Sequence, residues 1–197
     1  MTDLRPLRTF VRAATEAVAQ PRPEADLLAD LRGHLAALVQ RDDWLPDDMA
    51  QPHPQFYRQY LLHCDPLERF SVVSFVWGPG QQTPVHDHTV WGLIGMLRGQ
   101  EESQPHAPDA SGAMLPQGAP TVLVPGQVVA VSPTLGDVHL VRNALPGQVS
   151  VSIHVYGGNI GAVQRWVYAA DGTRKPFVSG YSNTSLPNLW DRSKEGA

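Results

Sequence analysis

Two histidines stand one residue apart in Val85-His86-Asp87-His88, at the head of a glycine-punctuated apolar stretch that runs to Gly99. In an extended strand, residues two apart face the same way, with Cα atoms about 6.6 to 6.8 Å apart. Two imidazoles so placed can both reach one metal ion at roughly 2.0 to 2.2 Å, while Asp87 faces the other way. A third histidine, His139, lies between Val138 and Leu140, in a segment that reads as a strand turning a polar side chain inward. A His-x-His pair followed some 50 residues later by a strand histidine, in a chain with one cysteine, favours a shared metal over three unrelated hydrogen-bonded rings. Imidazole suits iron, zinc, nickel and copper alike, so spacing does not choose the metal.

A second constellation lies in QVSVSIHVYG, residues 148 to 157. Val149, Val151, Ile153 and Val155 share one strand face, and Ser150, Ser152, His154 and Tyr156 share the other. If the apolar set packs on helices or a second sheet, the polar set looks into a polar interior; the alternative is a solvated face, because alternation fixes sidedness only. His34, His53, His63 and His106 are read as ordinary surface or hydrogen-bonded histidines.

These residues need a scaffold, and the rest of the chain describes one. Residues 1–42 read as helical: helix formers fill TFVRAATEAVAQ, Pro21 and Pro23 interrupt, and Leu28, Leu31, Leu35 and Leu38 then recur three and four apart as one apolar stripe. Residues 43–55, with three prolines and three aspartates, read as a loop. From about residue 56 to 180 the texture changes to short segments rich in β-branched and aromatic residues, bounded by Gly, Pro and Asp. They include FYRQYLLH, FSVVSFVW, WGLIGMLRG, TVLV, QVVAV, DVHLV, VQRWVY and KPFVSG, the last two joined by a turn at Asp171-Gly172. No helices intervene, so the expected fold is one all-β sandwich or barrel domain over residues 1–197 with N-terminal α-helices packed on it.

Composition narrows the partners. A net charge of −4 with no Lys/Arg run gives no electrostatic footprint for nucleic acid or an anionic membrane, which leaves a small molecule. With Cys64 the only cysteine, no intramolecular disulfide is possible. No export signal and no membrane-length apolar run is seen, so a cytoplasmic location is expected.

The spacing resembles that of the cupins, whose first motif is G(X)5HXH(X)3-4E(X)6G. Gly80, His86, His88, Gly92 and Gly99 match it in every interval, with Gly92 standing where the glutamate belongs. The second motif, G(X)5PXG(X)2H(X)3N, is approximated by Gly126, Pro133, Gly136, His139 and Asn143, with one extra residue in each of the first two gaps. The resemblance implies a double-stranded β-helix, or jelly-roll, barrel.

Loss of the glutamate leaves three neutral imidazoles, and in this the chain resembles the thiol dioxygenases of the cysteine dioxygenase type I family. FVWGPG before the His-x-His pair and SVSIHVYG after His139 extend the likeness over roughly residues 56–170. The resemblance implies Fe2+ held by His86, His88 and His139, a Ser152–His154–Tyr156 triad in which Tyr156 donates its hydroxyl toward the substrate or dioxygen, and conversion of a small thiol to its sulfinate. Mammalian-type members place a cysteine where Gly92 stands and cross-link it to the triad tyrosine; Cys64 lies outside the motif, so no such link to Tyr156 is expected. Their carboxylate-binding arginine falls here on Gln59 or, one residue away, Arg58, of which only one can face inward. The Gln59 form resembles the bacterial 3-mercaptopropionate dioxygenases, where a later arginine, here Arg165, takes the carboxylate. That ranks 3-mercaptopropionate above cysteine. Other readings are a cysteine dioxygenase, a three-histidine dioxygenase acting on a diketone, and a cupin that binds a ligand or senses it without catalysis. Oligomeric state is not legible.

Overall fold

The computed structural model describes residues 3–184. The expected domain thus extends at both ends beyond the described residues. Two helices, α1 (Arg5–Ala17) and α2 (Glu24–Val39), precede an extended stretch broken by a short 3-10 turn at Asp47–Ala50. Twelve strands follow among the described residues: β1 (Arg58–Cys64), β2 (Ser71–Trp77), β3 (Val85–His86), β4 (Gly92–Arg98), β5 (Glu101–Pro108) and β6 (Met114–Pro116). The rest are β7 (Thr121–Leu123), β8 (Val128–Val131), β9 (His139–Asn143), β10 (Ser150–Tyr156), β11 (Arg165–Tyr168) and β12 (Arg174–Phe177). The architecture is the all-β double-stranded barrel with N-terminal helices packed on it that the sequence predicts.

One sheet runs β1-β2-β10-β4-β8; the other runs β12-β11-β3-β9-β5, with β6 and β7 both pairing with β5. All pairings are antiparallel, but only β1–β2, β5–β6 and β11–β12 pair consecutive strands; the other neighbours are brought together from non-consecutive parts of the chain. The β11–β12 hairpin closes as expected, with Gly172 at φ +84°, a conformation open to glycine without strain.

The helices cover the outer face of the first sheet. Leu28, Leu31, Leu35 and Leu38 are all buried, in one core with Val151, Ile153 and Val155 of β10. Burying such side chains contributes roughly 1.5–3 kcal/mol each. At Gly95 the helix comes so close that an added Cβ would sit 3.0 Å from both Leu35 and Val39. Glu24 of α2 accepts hydrogen bonds from Ser132 and Thr134, and Arg32 donates to the Val128 carbonyl, pinning the helix to the far edge of the sheet. With the apolar face of β10 taken up by helices, its polar face must enter the barrel. No described helix is long and apolar enough to cross a membrane.

Candidate metal centre

His86 and His139 are direct cross-strand partners in the β3–β9 ladder, which alone brings their side chains together. His88 joins them differently from the sequence expectation. The strand ends at His86, and the chain then bends, with Thr89 at φ +59°. Asp137 holds this bend, its two carboxylate oxygens accepting from the backbone N–H groups of His88 and Thr89, each at 3.0 Å. Asp87 does face away: it accepts from Trp166 N and the Tyr168 hydroxyl, both at 2.8 Å, and so bolts the histidine segment to β11.

The three rings converge. Their centroids are 4.8 to 5.0 Å apart, and one ligand nitrogen from each lies within 4.8 Å of the other two. On each ring Nδ1 is engaged elsewhere. His86 Nδ1 lies 3.0 Å from the Pro84 carbonyl, which only accepts, so the proton is on that nitrogen. His88 Nδ1 meets Asp137 Oδ1 at 3.0 Å, and His139 Nδ1 meets Ser103 Oγ at 2.8 Å. His139 Nε2 is buried with no partner at all. An unpartnered nitrogen amid three convergent rings, each oriented by its other nitrogen, fits a metal ion.

Electrostatics points the same way. Burial, and then the crowding of neighbouring histidines, joined at His86 by Arg165, hold His86 and His139 well below the usual histidine range. Burial also lowers His88, against the opposing pull of Asp137. All three are therefore neutral at pH 7, the form that ligates.

The triad opens into a cavity of about 190 Å³ that it shares with Gln59, His154, Tyr156 and Arg165. The Gln59 side-chain oxygen is buried there without a partner, whereas Arg58 leans over Phe56, with Cζ 5.8 Å from the ring centre, and does not line the space. Strand alternation on β1 thus puts Gln59 inside. Arg165 is 3% exposed, sits over the Phe177 ring at 4.6 Å and donates to Ser179 Oγ, leaving its Nε unpaired. Burial lowers its pKa from the ordinary range, yet a guanidinium remains charged at neutral pH. Among the described residues no Asp or Glu lines the cavity.

On β10, Ser152, His154 and Tyr156 form one hydrogen-bonded line: Ser152 Oγ to His154 Nε2 at 2.9 Å and His154 Nδ1 to the Tyr156 hydroxyl at 2.9 Å. Burial pushes the Tyr156 phenol up, so its hydroxyl stays protonated. Gly92 is the β4 partner of Tyr156, and an added Cβ would lie 3.3 Å from the tyrosine ring. None of His34, His53, His63 and His106 joins the triad.

Sequence reasoning missed Asp137, Ser103 and Glu101. Asp137 was detectable as the acidic residue two before a strand histidine. Ser103 and Glu101 lie on β5, whose sequence EESQPHAP is polar and carries two prolines, features that argue against a strand.

No family model matches the chain. Among solved structures, it is similar to a conserved protein with a double-stranded β-helix domain from Klebsiella pneumoniae, at 16% identity over 69% of this chain and 97% of that one, with a TM-score of 0.46. It is also similar to a cupin superfamily protein from Desulfitobacterium hafniense, at 14% identity over 59% of this chain and 91% of that one, with a TM-score of 0.42. An oxalate oxidase in complex with the substrate analogue glycolate is similar at 15% identity over 55% of each chain, with a TM-score of 0.43.

Proposed function

We propose that this protein is a thiol dioxygenase that converts 3-mercaptopropionate and dioxygen to the sulfinate, with Fe2+ held by His86, His88 and His139. The observation that carries this reading is the meeting, in one small cavity, of three neutral imidazoles and a buried, incompletely paired guanidinium, with no acidic side chain among the described residues lining the space.

Neutral ligands leave the charge of a divalent ion uncompensated, so the cavity favours an anion, which a thiolate supplies. Bound there, iron(II) would supply affinity for the thiolate and dioxygen and the redox chemistry of sulfur oxygenation. Both oxygen atoms end on sulfur, so thiol and dioxygen balance the sulfinic acid with no further co-reactant.

Arg165 takes the carboxylate in a charge-assisted contact and fixes the distance from carboxylate to sulfur. Gln59 offers an uncharged contact from β1, and Tyr156, oriented by His154, turns its hydroxyl oxygen to the cavity. A cavity of about 190 Å³ is suited to a three-carbon acid, since drug-sized ligands need about 300 Å³ or more. Cysteine would add an ammonium among three histidines and Arg165 with no carboxylate to receive it, which places it second.

Oxygen uptake by the iron-loaded chain with 3-mercaptopropionate, cysteine and cysteamine tests the reading. The expected order of kcat/KM is 3-mercaptopropionate, then cysteine, then cysteamine, with sulfinate as the product by mass spectrometry. Stoichiometric iron with no thiol-dependent uptake would contradict it and favour a ligand-binding module.

A further inference from the structure

The hydrogen-bonded line behind Tyr156 does not stop at Ser152. Glu101, at the start of β5 in the opposite sheet, is fully buried and sends Oε2 to within 2.6 Å of Ser152 Oγ. Its other oxygen, Oε1, has no partner, and the residue does not line the cavity. A buried, half-satisfied acid calls for a reason, because an unpaired polar atom there costs about 1–3 kcal/mol.

The donors and acceptors around Ser152 can be counted. A hydroxyl has one proton and two lone pairs. Trp77 Nε1, 3.1 Å away, can only donate, so it occupies one lone pair. Ser152 Oγ donates its one proton to Glu101 Oε2. One lone pair then remains for His154 Nε2, which must carry a proton to fill it. A neutral ring protonated at Nε2 has a bare Nδ1, and that nitrogen accepts from the Tyr156 hydroxyl. The acceptor oxygen of Glu101 thus sets the direction of every bond in the line, leaving Tyr156 with a lone pair toward the cavity.

We propose that Glu101 is the inner terminus of a proton relay, Tyr156–His154–Ser152–Glu101, that connects the cavity to a buried carboxylate. A proton taken by the Tyr156 oxygen from a molecule in the cavity is matched by three transfers. The phenol's own proton passes to His154 Nδ1, the Nε2 proton to Ser152 Oγ, and the Ser152 proton to Glu101 Oε2. One proton enters, one ends on Glu101, and Tyr156 changes from acceptor to donor on its cavity side; the reverse sequence returns the proton. Glu101 touches nothing in the cavity and acts as a positioning residue through the other three. The inference stands on the hydrogen bonds and not on the identity of metal or substrate.

The test is the tautomer of His154 in the full, metal-free chain labelled with 15N-histidine, read by 15N NMR near pH 7, with its signals identified by their loss in His154→Gln. The expected result is a ring protonated at Nε2 and bare at Nδ1. A proton on Nδ1, in the other tautomer or in an imidazolium, would overturn the proposal, and this measurement needs no change at Glu101. In Glu101→Leu the Ser152 proton has only His154 Nε2 to go to, so the ring is expected to switch to the Nδ1-protonated tautomer. An unchanged tautomer in folded Glu101→Leu would equally overturn it.

Discussion

The Asp137 carboxylate receives His88 twice, from the backbone N–H at 3.0 Å and at ring Nδ1 at 3.0 Å. One side chain therefore sets both the path of the chain after His86 and the direction in which His88 presents its free nitrogen. Burial alone would raise the Asp137 carboxyl, but the bonds from His88 and Thr89 outweigh it and hold the group below the usual carboxylate range. Asp137→Ala is expected to fold and to bind Fe2+ about 10- to 100-fold more weakly than the wild type. A competition titration against a chelator of known affinity measures this, and equal affinities would refute the role given to Asp137.

Arg165 is buried with an unpaired Nε and contacts none of the triad's orienting groups, so its removal should separate substrate binding from metal binding. In Arg165→Ala, KM for 3-mercaptopropionate is expected to rise roughly 10- to 150-fold, equivalent to the ~1.5–3 kcal/mol of a hydrogen bond to a charged group. Iron content should stay the same. Steady-state kinetics beside metal analysis gives the answer, and loss of iron with unchanged KM would reverse the assignment.

Tyr156 should carry no thioether. Its cross-strand partner on β4 is Gly92, and Cys64 lies two strands away on β1, across β2, with its thiol against the Asp65 carbonyl. Mass spectrometry of a proteolytic digest should find the Tyr156 peptide at its unmodified mass. Burial pushes the Cys64 thiol up to about 12, so little thiolate exists at pH 8. A disulfide reagent should label Cys64 slowly in the native chain and rapidly in urea; fast native labelling would contradict the burial.

Asp65 stabilises the β1–β2 connection, accepting from the Arg69 side chain at 2.7 and 2.8 Å and from the backbone of Leu67 and Arg69. These bonds, that of the Arg69 side chain first, hold its carboxyl below the ordinary range. A depressed acid contributes stability above its unfolded pKa of about 3.9, and that stability is lost as pH falls through the folded value. Asp65→Asn should therefore lower unfolding free energy by ~1–3 kcal/mol at pH 7, with the gap narrowing once pH falls below about 3.9. Urea denaturation above and below that pH measures it, and a gap independent of pH would count against the ionic contribution.

Much of this site is legible in the sequence because it rests on two periodicities. The 3.6-residue repeat of Leu28, Leu31, Leu35 and Leu38 announces a helix with one sticky face, and the two-residue repeat of β10 announces which side that helix covers. Once Val151, Ile153 and Val155 are committed outward, Ser152, His154 and Tyr156 have only the barrel interior. The remainder is not periodic. Asp137 acts through a bend that lifts His88 off the strand, and a left-handed Thr89 has no composition signal. Gln59 and Arg58 are adjacent, so only the register of β1 with β2 decides which is inside. Glu101 lies in a polar, proline-bearing stretch that becomes strand because β7 and β9 pair with it on both sides, a long-range cause that local propensity does not contain.

His86, His88 and His139 together are expected to hold one metal ion. Anaerobic titration of the purified, metal-stripped chain with Fe2+, read by elemental analysis after desalting, is the most direct test. One iron per wild-type chain is expected, and essentially none in folded His139→Ala. A wild type that retains no metal, or a His139→Ala variant that retains a full equivalent, would contradict the account.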